Sequence, residues 1–226
     1  MNRLWPVALA LTLLGVACVA VVAPSRAVTA DPAETPPVLP SGTYRYAVHS
    51  DGKTTATSTV TIAHDAMSVT VTETVDLQGE TYRTTRRLDP ATFSTISWSG
   101  PDDAVTIGSK SATYRSTKTT TTLAAPVDGP AAVFDFLVAE FSTMPAMLHA
   151  TGARQYNEYC VCIGGFQAKA ISVVTATAPR PATVQPSDVA IALNAEGETA
   201  TLWYDPQMFV LRELDFPRDR ISYVRI

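Results

Sequence analysis

The chain has 226 residues, 46% of them hydrophobic, with 17 basic and 21 acidic residues and a net charge of −4. The first thirty residues hold Arg3 and Arg26 and no acid, so the remainder carries 15 basic against 21 acidic residues, net −6. That balance, with no basic stripe interleaved with aromatics, excludes nucleic acid as an expected partner, and the length suffices for one domain with a core of its own.

Arg3 precedes a nearly continuous apolar run from Leu4 to Ala23, and small residues follow in Ser25-Arg26-Ala27 and Val28-Thr29-Ala30. A positive start, an apolar middle and a small-x-small exit describe a secretory signal peptide over 1–30, cleaved after Ala30 or, as second choice, after Ala27. The run is also long enough to cross a bilayer, so an uncleaved anchor over 4–23 is the rival reading. Cys18 is read as a small hydrophobe inside this segment. The expected location is therefore the periplasm or the medium, with membrane contact only through an uncleaved N-terminus. Residues 31–41, DPAETPPVLPS, read as a Pro-rich tether.

From Gly42 the dominant period is two. Tyr44, Tyr46 and Val48 share one face, and Asp51-Gly52 signals a hairpin turn into a strand over 54–63. Between Met67 and Leu77, apolar and Thr-type positions alternate, which predicts one buried and one wet face. Glu73 interrupts the apolar side, either paired or at a cavity rim. After Gln78-Gly79 comes a strand over 80–88 with Arg83, Arg86 and Arg87; the group reads as a solvated sheet edge, with Arg86 facing away from the other two. Asp89-Pro90 breaks that strand. Shorter strands are expected at 92–98, 104–107 and 111–122.

The period changes once. Gly129-Pro130 opens a stretch in which Val133, Phe134, Leu137, Val138 and Phe141 form a helical stripe over 131–141, and a second short helix is expected over 145–150. Strands resume at 154–163 and 166–178. A Pro-rich loop follows, and a meander occupies 189–193, 199–205, 208–216 and 220–226. The expected architecture is mainly β: an antiparallel half-barrel or open barrel of ten to twelve strands over 42–226, with one or two short helices near 130–150 packed in its mouth.

No nucleophile elbow and no H-E-x-x-H motif is present, and His49, His64 and His149 read as structural. No catalytic residue, metal or cofactor is assigned. Cys160-Val161-Cys162 is the unusual local feature, since i and i+2 of a strand share a face. A local disulfide, a buried reduced pair and a thiolate metal or redox site with His149 compete there.

Tyr44-Arg45-Tyr46-Ala47-Val48-His49-Ser50-Asp51-Gly52-Lys53 resembles the opening hairpin of exported bacterial half-barrel domains, and Leu202-Trp203-Tyr204-Asp205-Pro206 with Val210-Leu211-Arg212 resembles their closing hairpin. Such domains are similar to the periplasmic lipoprotein carriers. The resemblance implies a half-barrel closed by helices over an apolar cavity, and it transfers no catalytic residue.

The leading expectation is thus a non-catalytic envelope protein that binds an apolar small molecule, such as a lipid acyl chain. Tyr46, Val69, Val71, Trp98, Phe134, Leu137, Phe141 and Trp203 are the candidate cavity residues. A structural or protein-interaction module is the alternative, and a hydrolase with a site assembled from distant residues is the third reading.

Overall fold

The computed structural model describes residues 39–226 apart from 78, 163, 196 and 197. The signal segment and most of the tether lie outside the described residues. The end of the expected tether does not: Leu39 is fully buried and the Pro40 carbonyl accepts the Tyr44 hydroxyl at 3.1 Å. The packed domain therefore starts by Leu39 rather than Gly42.

The first half is a meander of eight strands: β1 (Gly42–Ser50), β2 (Lys53–His64), β3 (Val69–Leu77), β4 (Glu80–Leu88), β5 (Thr95–Ser99), β6 (Asp103–Ile107), β7 (Ser111–Ser116) and β8 (Thr120–Ala124). Then come β9 (Ala131–Phe134) and the helix α1 (Ala139–Thr151). The second meander runs through β10 (Gln155–Cys162), β11 (Gly165–Val174), β12 (Val189–Ala195), β13 (Glu198–Tyr204), β14 (Leu211–Phe216) and β15 (Ile221–Arg225). All fifteen strands form one sheet, in the order β8 to β1 and then β15 to β9. The two halves join where β1 pairs antiparallel with β15, Tyr46 opposite Arg225 and Ser50 opposite Ile221. The sheet is mixed because β9 runs parallel to β10. The Asp51-Gly52 turn is as expected: both residues have positive φ, 50° and 73°, the conformation of the favoured two-residue hairpin.

The sheet is open. No ladder joins β8 to β9, yet side chains bring its ends together. Trp98, Val105 and Ala112 from β5 to β7 form a small core with Ala131, Val133 and Tyr159 from β9 and β10. Tyr114 of β7 stacks on Phe166 of β11 at 5.3 Å. The Ser94 hydroxyl donates to the Ala131 carbonyl and accepts from the Ala131 N–H at 2.8 Å. The larger core gathers Tyr46, Val60, Ile62, Val69 and Val71 with Leu202, Leu211 and Leu214, and α1 packs into it.

α1 contacts β3, β9 and β14, and every residue from Ala139 to Leu148 is buried. A helix buried on every side up to its last turn is stabilised by its surroundings rather than by amphipathic patterning. Its first turn has no cap from its own chain neighbours. Glu73 of β3 supplies one: its carboxylate accepts the Val138 N–H at 3.1 Å and the Ala139 N–H at 2.7 Å. A negative group is favoured there by the helix dipole as well as by the free N–H groups. Gly152 ends the helix in the left-handed region at φ 61°, the conformation that favours glycine at that position.

The expected helix over 131–141 is a correction. Residues 131–134 are a strand, because Val133 and Phe134 find parallel partners in Tyr159 and Cys160. Phe136, at φ 63°, breaks any helical continuation. The second expected helix is the true one, begun six residues earlier, with Pro145 inside it. Burial on all sides offsets the roughly 3 kcal/mol that an interior proline costs. The fifteen strands exceed the expected ten to twelve, and two of them have a simple reason. The run 111–122 turns at 117–119, and 131–134 joins the sheet.

The Arg group is corrected in part. β4 lies between β3 and β5, so it is no edge. Arg83 and Arg87 are exposed, as alternation requires, whereas Arg86 is 1% exposed. Met67, expected on the apolar face of β3, is 77% exposed in the preceding turn, where Asp65 accepts the Met67 and Ser68 N–H groups.

Candidate functional site

A cavity of about 360 Å³ lies on the second half of the sheet. Its aromatic wall is Phe134, Phe136, Phe141, Tyr156, Phe216 and Tyr223; Ile171, Leu193, Ala200 and Ile221 complete the apolar lining. Phe141 comes from α1 and Phe136 from the bend before it; the other lining residues come from the sheet and the turn after β14. The rings are mutually fixed. Phe141 meets Phe134 and Phe216 edge-on at 5.8 and 5.5 Å, and Phe134 lies 4.8 Å from Phe136. The Tyr223 hydroxyl donates to the Phe136 carbonyl at 3.0 Å, which pins the bend. A second depression of about 500 Å³, around Asp128, Arg154 and Gln155, has no aromatic wall.

One column of β10 lines the cavity: Tyr156, Glu158, Cys160 and Cys162, at every second position. From β11, Lys169 stands opposite Glu158 in the ladder and shares the cavity wall. Arg218 and Asp219 add polar groups from the turn after β14.

Both carboxylate oxygens of Glu140 and the Tyr156 hydroxyl are buried without a hydrogen bond. Burial pushes the Glu158 carboxyl up to about 7, with Lys169 opposing. Burial, and then the neighbouring Glu158, hold Glu140 well above the usual carboxylate range. The Tyr156 phenol is raised by the same causes, burial first and then Glu140 and Glu158. The arrangement is a mostly apolar slot with Tyr156, Glu158, Lys169, Arg218 and Asp219 as its polar lining.

Cys160 and Cys162 are joined in a disulfide, with Cα atoms 5.2 Å apart. This is the first of the three readings, the local disulfide. The His149 ring packs against Phe209 at 4.7 Å. Among the described residues, no group of three or more His, Cys, Asp or Glu is placed to hold a metal ion. A bridge that closes three residues contributes only about 1.6 kcal/mol by loop entropy, against about 3 kcal/mol for a fifteen-residue loop.

No family model, curated protein or solved structure matches this chain. The geometry has to carry the functional reading.

Of the eight candidate cavity residues, the structure brings two to the cavity, Phe134 and Phe141. Tyr46 is core, with its hydroxyl on the Leu211 carbonyl at 3.3 Å. Val69 and Val71 are fully buried in the larger core. Trp98 sits in the small core and its indole N–H donates to Asp135 at 2.7 Å. Leu137 is half-buried and not part of the lining. Trp203 is buried with the Arg180 guanidinium 5.0 Å above its ring. Sequence reading missed Tyr156, Glu158, Lys169, Phe136, Phe216 and Tyr223. The strand expected over 154–163, with the two cysteines on one face, puts Tyr156 and Glu158 on that same face by simple spacing. That was the usable signal.

Proposed function

We propose that this is an exported envelope protein that binds or carries an apolar ligand with a small polar end, in a half-barrel-like sheet with α1 in its mouth. The observation that supports this is the aromatic cavity of about 360 Å³, a volume within the ordinary range of small-molecule sites. An acyl chain would lie along Phe134, Phe141 and Phe216, with its polar group toward Tyr156, Glu158 and Lys169. The gain is removal of apolar area from water, about 0.8 kcal/mol per methylene. The N-terminal segment supplies the export signal in this reading, and its anchor alternative keeps the cavity near a membrane. Among the described residues, no helix is long and apolar enough to cross a bilayer.

The test has two arms. Native mass spectrometry of protein from an exported culture, followed by organic extraction, is expected to show an extractable bound lipid. Displacement of a fluorescent fatty acid by a fatty-acid series is expected to tighten about fourfold per added carbon and then plateau when the cavity is full. Ile221→Trp places a ring at the half-buried rim. It is expected to weaken probe binding at least tenfold with an unchanged melting temperature. A bare protein mass together with no probe binding would overturn the reading.

A second reading, an interaction module, rests on β8. This Thr-rich strand is a free sheet edge with alternate residues exposed. It gains if the cavity is bare and a partner protein protects β8 from hydrogen exchange.

A further inference from the structure

The disulfide is poorly placed to be a staple. Its loop is three residues long, the smallest class for entropic stabilisation. Strand pairing already holds both ends, Cys160 opposite Gln167 and Phe134, Cys162 opposite Gly165. Both cysteines line the cavity.

The two sulfurs are not equivalent. Cys160 is 2% exposed, whereas Cys162 is half-buried at the end of the strand. The ladder with β9 stops at Cys160, so Cys162 has no strand partner on that side. A reactant can thus reach Cys162 from the cavity. One position before the pair on the same face stands Glu158.

We propose that Cys160–Cys162 is a thiol–disulfide exchange centre for thiol-bearing molecules, with Cys162 the sulfur attacked. A substrate thiolate bonds to Cys162 Sγ as the Cys160–Cys162 bond breaks. The electron pair leaves on Cys160, which takes a proton from the Glu158 carboxyl. A second substrate thiolate then attacks the substrate sulfur of the mixed disulfide and releases Cys162, which takes a proton from water. Glu158 recovers its proton from water as well. Two thiols become one disulfide, the cysteine pair is reduced, and the reverse direction reduces a disulfide. Burial disfavours a free Cys160 thiolate, so a nearby proton donor speeds its departure. The groups around Glu158 are Lys169 from β11, Glu140 from α1 and Tyr156 on its own strand, with Arg218 and Asp219 on the same cavity wall. This inference does not depend on what the cavity binds.

The test uses the full chain with Cys18→Ser, so that only the strand pair reports. Native protein is equilibrated with glutathione redox buffers, quenched by alkylation and weighed intact. The pair is expected to titrate between oxidised and reduced forms while circular dichroism stays native. With oxidised glutathione, Cys160→Ser is expected to form its mixed disulfide at least tenfold faster than Cys162→Ser. Glu158→Gln is expected to slow opening of the pair at least fivefold and to flatten its pH profile, whereas Glu158→Asp restores part of the rate. Reduction seen only at denaturant concentrations that unfold the protein, or equal rates for the two cysteine variants, would overturn the proposal.

Discussion

Asp135→Ala is expected to lower the free energy of unfolding by about 3–5 kcal/mol, the usual cost of leaving one member of a buried ion pair alone. Arg86 of β4 and Asp135, in the segment between β9 and α1, are 1% and 5% exposed and form an ion pair. The same carboxylate accepts the Trp98 indole N–H at 2.7 Å and the Leu137 N–H at 3.3 Å. It therefore ties β4, β5 and the bend before the helix to one point. The guanidinium has little else: Thr84 Oγ1 at 3.4 Å, the Val133 carbonyl at 3.5 Å and an Nε with no partner. Without Asp135, a buried cation loses its ion-pair partner. Arg86→Met should cost a similar amount by stranding the carboxylate. The double variant Arg86→Met/Asp135→Leu should recover much of the loss, because an apolar pair removes both desolvation penalties; the Trp98 N–H then remains unpaired at about 1–3 kcal/mol. Urea titration of the unaltered protein, Asp135→Leu, Arg86→Met and the double variant measures the coupling. Single variants that each lose under about 1 kcal/mol would show that the pair is solvated.

The protein should be more stable at pH 5 than at pH 8. Burial, and then the nearby Asp135, push the Glu73 carboxyl up to about 7 against an unfolded value of 4.5; Arg86, Ser58 and the Ala139 N–H act in the opposite direction. Glu158 is likewise raised to about 7. Between pH 4.5 and 7 the folded state keeps protons that the unfolded chain has released. Stability from these groups is thus fully present below about pH 4.5, falls as pH rises through 7 and levels off above it. Each group corresponds to about 3 kcal/mol, or together a melting temperature higher by roughly 10 °C or more at pH 5. Asp65 and Asp89 are held below their ordinary values, chiefly by backbone N–H groups, so they act with the other sign and only at more acid pH. Glu73→Gln copies the protonated form and should remove nearly half of the slope between pH 5 and 8, while still capping α1 through its amide oxygen. Calorimetry across that range decides it; a melting temperature that rises from pH 5 to 8 would refute the assignment.

The two results share a cause that local sequence does not carry. Alternation placed Glu73 on the buried side of β3 and set Arg86 apart from Arg83 and Arg87. It could not say that β3 meets the start of a helix, or that β4 is covered by the 135–138 bend. Those facts come from contacts across more than forty residues of chain. The helical stripe at 131–141 failed for the same reason. Val133 and Phe134 suit a strand once β10 is beside them, and no period within the segment reveals that neighbour.

By itself the sequence determined the β class, most strand positions and the Asp51-Gly52 hairpin, because period-two alternation and turn chemistry act over a few residues. It also determined that Cys160 and Cys162 share a face. Only the tertiary structure decided that this face lines a cavity, that Phe134 and Phe141 reach it while Val69, Val71 and Trp98 fill cores, and that the two meanders meet at β1 and β15. An apolar side chain looks the same in a sequence whether it fills a core or walls a cavity. The difference is the space opposite it, and that space is set by pairing between distant strands.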